Sequence, residues 1–82
     1  MSQGYTLRLQ KRNLDEDVNR LGVRLGRHAI AAEIPVTEIA AKFNVSRATV
    51  YNWFNGDTDP HTSLEDEIAH YLESTWLNKH KL

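Results

Sequence analysis

Apolar residues along most of this chain recur at the three- and four-residue spacing of helices, and the start is the exception. Tyr5, Leu7 and Leu9 alternate with Thr6, Arg8 and Gln10, which is the period of a half-buried strand. This segment is expected to be either a short β-strand paired with a second subunit or a loose basic arm carrying Arg8, Lys11 and Arg12. Asn13, followed three residues later by Glu16, reads as a capping box, with Asp15 and Glu16 at the positive end of the helix that follows. A first helix is therefore predicted from about 14 to about 32, with Leu14, Val18, Leu21, Leu25, Ala29 and Ala32 on its core stripe. Val23 and Ile30 fall on the opposite side beside Gly26, where an apolar strip needs a second cover from the N-terminal segment or another subunit. Gly22 and Gly26 each weaken a helix by roughly 1 kcal/mol relative to Ala, a cost that close backbone packing can offset.

Ile34 and Pro35 separate this helix from a short second one over 35–43, because Pro suits a first helical position and turns its predecessor away from helix. Ile39, Ala40 and Phe43 form the buried edge. Asn44 tolerates left-handed backbone, and Ser46 can cap a third helix over 46–55 whose inward side is Val50, Trp53 and Phe54. Gly56 ends it. The stretch DTDPHTS is turn-forming, and Thr62 with Glu65 spells a second capping box for a fourth helix with Leu64, Ile68, Tyr71, Leu72, Thr75 and Trp76 inward. The expected architecture is all-α, a small four-helix domain over 13–77, with an N-terminal arm or short β-strand over 1–12 and a frayed tail over 78–82.

Two short helices cross at a wide angle when a small residue sits in the first, a permissive residue makes the turn, and apolar residues lock the second from beneath. In VTEIAAKFNVSRATVYNWFNGDTDP, Ala40, Asn44, Val45, Val50 and Trp53 meet those needs. The segment resembles the helix-turn-helix of the Cro/CI repressors, also called the Xre type, extended by Trp53, Gly56 and Pro60 at the family's spacing. The likeness covers about 17–72. Asn44 stands where that family usually has Gly, Pro35 where it usually has a Ser or Thr cap, and Phe54 at an often charged position. The phrase SRATVYNW also resembles the helix-turn-helix of resolvases and transposases.

The resemblance implies that the third helix presents its start and outward face to base edges in the major groove. Arg47, Ala48, Tyr51, Asn52 and Asn55 are the candidates for base readout. Arg47 can bind guanine through two hydrogen bonds, Asn52 can do the same with adenine, and Ala48 can meet a thymine methyl. Thr37, Lys42, Ser46 and Thr49 are candidates for phosphate, Ser46 because helix starts present backbone donors to anions. Tyr5, Leu7, Leu9, Val23 and Ile30 are candidate dimer contacts. Arg20, Arg24 and Arg27 share a side of the first helix and read more simply as a solvated basic face than as a DNA contact.

The formal net charge of -1 argues against a nucleic-acid binder only until its distribution is read. Residues 1–56 carry eight Lys or Arg against five acids, while 57–82 carry two against six, so the sum conceals a strong asymmetry. No cysteine is present, which excludes disulfides and thiolate zinc sites, and His28, His61, His70 and His80 lack metal-site spacing. No cofactor, metal or small-molecule ligand is expected, and no glycine-rich phosphate loop or catalytic set can be assembled. The chain reads as a non-enzymatic cytoplasmic protein without a secretion signal or membrane span. Its leading function is that of a sequence-specific regulator, a repressor of phage or mobile-element type, binding an inverted-repeat operator in double-stranded DNA as a homodimer. A small terminase-like assembly protein and a helix-turn-helix module binding a host protein are the alternatives.

Overall fold

The alternating segment at the N-terminus is helical. In the computed structural model, which describes residues 5–80 and the side chains of 5–75, the elements are α1 (Leu7–Leu14), α2 (Leu21–Ala32), α3 (Val36–Phe43), α4 (Arg47–Phe54) and α5 (Thr62–His80). The expectation of a strand is corrected: no strand occurs among the described residues. Thr6 caps α1, its Oγ1 accepting the Leu9 N–H at 3.1 Å. The ambiguity was in the spacing itself, since Tyr5, Leu9 and Asn13 also follow one another at four residues and so share a helical face. That face is turned inward: Tyr5 and Asn13 are buried and Leu9 packs against the core.

The long first helix is broken by a turn over 15–20. Asp17 Oδ1 accepts the Asn19 N–H at 2.9 Å and Asp17 O accepts the Arg20 N–H at 3.0 Å, a local competitor to the helical ladder. Leu14 and Val18, expected in the core stripe, are 65% and 38% exposed. The Asn13–Glu16 capping box is corrected too, because Asn13 lies in the last turn of α1 with its side chain turned into the core. Tyr5 and Val23 are likewise buried within the chain, so neither is a surface for a second subunit. The cover that the far side of α2 required is α1.

α2 and α4 cross at the two glycines. A Cβ on Gly22 would lie 2.9 Å from Trp53 Cβ and 3.1 Å from Trp53 O, and one on Gly26 would lie 2.7 Å from Phe54 Cγ. Gly22→Ala and Gly26→Ala should each gain about 1 kcal/mol of helix propensity and lose more than that, by overpacking that typically costs about 1–3 kcal/mol. Net destabilisation in chemical denaturation is the expected outcome. A stabilised variant would mean that the two helices are not in contact at these positions.

The remaining joints are local. Glu33 and Asn44 adopt left-handed backbone, with φ of 57° and 56°, and each closes its helix with the paired terminal bonds of a Schellman turn: Ile34 N–H to Ala29 O at 2.9 Å and Val45 N–H to Ala40 O at 3.0 Å. Pro35 stands one residue earlier than expected, as the cap of α3 with extended backbone. At α5 the expected Thr62–Glu65 capping box gives way to His61, whose Nδ1 accepts the Ser63 N–H at 3.1 Å. The core joins Leu25, Ile39, Phe43, Val50, Trp53, Phe54 and Ile68, with Tyr71 edge-on to Phe43 at 5.5 Å. Of the expected frayed tail, 78–80 belong to α5 and 81–82 lie outside the described residues, as does the side chain of Trp76. No described helix is long and apolar enough to cross a membrane.

Candidate nucleic-acid interface

Ser46 starts α4. Its backbone is extended and its Oγ accepts the Thr49 N–H at 3.1 Å, with the two hydroxyls 2.9 Å apart. Both candidate phosphate hydroxyls therefore serve the cap first, while the first-turn amides of α4 are left to point along its axis. On the inward side Val50, Trp53 and Phe54 are buried. Because these three occupy one side of two helical turns, the opposite side must carry Arg47, Ala48, Tyr51 and Asn52, and all four are exposed. Thr37 and Lys42 are exposed on α3.

The end of α4 is fastened as firmly as its start. Gly56, with φ of 76°, and Asp57 return N–H bonds to Trp53 O at 3.1 Å and Asn52 O at 2.9 Å, a third Schellman closure, on the expected glycine. The last carbonyl, Phe54 O, accepts Asn13 Nδ2–H at 2.7 Å, and the same nitrogen donates to Val23 O at 3.1 Å. Arg27 Nη2 in turn donates to Asn13 O at 2.8 Å. Asn13 is the residue the sequence reading missed. The signal that could have found it is its place on the Tyr5–Leu9 face of α1, which marks an Asn as inward and therefore in need of partners.

This bracing accounts for much of the basic charge. Arg20 binds Asp59 through Nε and Nη2 at 3.0 and 2.9 Å, and Arg12 binds Asp57 at 2.6 Å, so both tie the N-terminal elements to the loop after α4. These half-exposed pairs are worth at most about 1 kcal/mol each, and their effect is to fix that loop. Arg24 is exposed, whereas Arg20 and Arg27 are only partly so. Tyr5 donates to Ile34 O at 2.6 Å, and burial raises its phenol far above the usual range, with Tyr51, Tyr71 and Glu38 adding to the effect.

Asn55 differs from the other readout candidates. It caps the end of α4, and its Oδ1 is buried with no hydrogen-bond partner among the described residues. No His, Cys, Asp or Glu group capable of holding a metal occurs among the described residues.

A family model described as a homeodomain-like domain matches residues 24–59, from the middle of α2 through the loop after α4. No curated protein and no solved structure matches the chain. The family match supports a helix-turn-helix of DNA-binding type in the segment where the geometry places α3 and α4, and it does not single out the Cro/CI kind.

Proposed function

We propose that this protein is a non-catalytic, sequence-specific regulator that lays α4 in the major groove of double-stranded DNA. The observation that carries this reading is the division of α4 into a locked inner side and an outer side of Arg47, Ala48, Tyr51 and Asn52, within a helix-turn-helix braced at both ends. Arg47 and Asn52 can each make the paired hydrogen bonds that distinguish one base pair from another. Lys42, Thr37 and the start of α4 would meet phosphate. In its finer form the reading is a repressor of Cro/CI type from a phage or mobile element, acting as a homodimer by occupying a promoter. With Tyr5 and Val23 internal, such a dimer would draw on other apolar residues, among them Leu7, which is 82% exposed.

Selection of bound duplexes from a random pool tests the reading. The selected sites should be inverted repeats with half-sites about 34 Å apart, and a non-palindromic single site would leave a monomer. On the selected duplex, Arg47→Ala and Asn52→Ala should each cost about 1–3 kcal/mol of binding with unchanged melting temperature. Equal losses on selected and random DNA would reduce both residues to phosphate contacts.

A further inference from the structure

We infer that the cleft between α1 and the C-terminal end of α4 seats a backbone phosphate of the DNA that α4 enters. The inference rests on the reading of α4 as the groove-binding helix and adds a contact to it. The cleft has a volume of about 480 Å³, and its polar lining includes Arg8, Lys11, Arg12, Asp15 and Asn55. Ala48, Asn52 and Asn55 lie at i, i+4 and i+7, so the outward stripe of α4 runs directly into it.

The dimensions agree with a strand of DNA at each end of the helix. Eight residues at 1.5 Å rise make α4 about 12 Å long, and the major groove is about 12 Å wide, so a helix laid across it meets phosphates at both ends. At the start, amides and Lys42 suit an anion. The other end carries the negative pole of the helix dipole, and a phosphate there requires cations from another element. α1 supplies them. Arg8 is exposed and forms no ion pair among the described residues, and Lys11 is held only by Asp15 at 3.8 Å across exposed side chains. Arg12 is already committed to Asp57. Asn55 turns Oδ1 inward, which leaves its amide nitrogen as the polar end available to the cleft. This assigns Asn55 to phosphate and not to a base edge.

The test is anisotropy of a labelled duplex titrated at several salt concentrations, with the selected site and a random duplex in parallel. Arg8→Ala should weaken both by the same factor, about five- to tenfold at 0.1 M salt, and reduce the slope of log K against log salt by about one. Its melting temperature should match the parent, and Arg8→Lys should restore most of the affinity and the slope. Inorganic phosphate up to 10 mM, titrated at constant ionic strength, should not displace the duplex; displacement lost in Arg8→Ala would indicate a free-anion site and overturn the inference. Unchanged affinity and slope in Arg8→Ala, with Arg47→Ala still discriminating between duplexes, would overturn the cleft contact and leave the role of α4 standing. Loss confined to the selected duplex would make Arg8 a base reader, and failure of the parent protein to bind any duplex would remove both readings.

Discussion

Replacing Asn13 by Ala is expected to lower stability by about 2–4 kcal/mol, a large effect for one polar residue in the last turn of a short helix. The side chain is 1% exposed and donates to carbonyls on two other helices. Val23 O lies inside α2, where the helical ladder supplies another donor. Phe54 O is the last carbonyl of α4 and has no such second source, so truncation leaves it buried and unsatisfied, at about 1–3 kcal/mol, and opens a void beside Gly26. Asn13→Asp should be at least as damaging at neutral pH, because it sets a carboxylate against Phe54 O. Urea unfolding of the three proteins measures the effect. The same variants should bind DNA less tightly although residue 13 is buried, because the end of α4 is released. A fully stable Asn13→Ala protein would show that α1 is not what fastens α4.

The unequal legibility of the chain has the same physical origin. Between 35 and 60 the determinants are local: Ser46 caps its helix through an amide only three residues on, Asn44 makes a left-handed turn by itself, and Val50 and Trp53 declare their side by spacing. The outward face of α4 follows as the complement of the inward one. At the N-terminus the determinants are distant. Asn13 joins Phe54 across 41 residues and Arg12 joins Asp57 across 45, and neither pairing leaves a mark on the adjacent sequence. A buried Asn carries no hydrophobic signal, and Asn13 with Glu16 imitates a capping box that the fold does not use. For the site, exposure was inferable but commitment was not: Arg20 and Arg27 are as basic as Arg8 and Arg47, and only their partners show that they brace the fold.

Val50→Glu is expected to leave the protein largely unfolded at pH 7.5. A chain of 82 residues is held by about 4–12 kcal/mol. Val50 is fully buried, in a cluster with Leu25, Ile39, Phe43 and Phe54 that contains no cation. A glutamate there either stays charged without a partner or takes up a proton, and buried glutamates of this kind have pKa values near 8–9 against about 4.3 in the unfolded chain. At about 1.4 kcal/mol per unit, the penalty near neutrality approaches the whole stability even before the lost apolar contact is counted. The sign follows from the raised folded-state value: the folded form of the variant binds the extra proton, so its stability falls as pH rises from about 4 and is partly regained on acidification. Circular dichroism melts at pH 5 and pH 7.5 should therefore show more helix for Val50→Glu at the lower pH, while Val50→Ala should stay folded at both. A Val50→Glu protein melting where the parent melts would put residue 50 on the outer side of α4 and turn Arg47 and Asn52 away from the DNA.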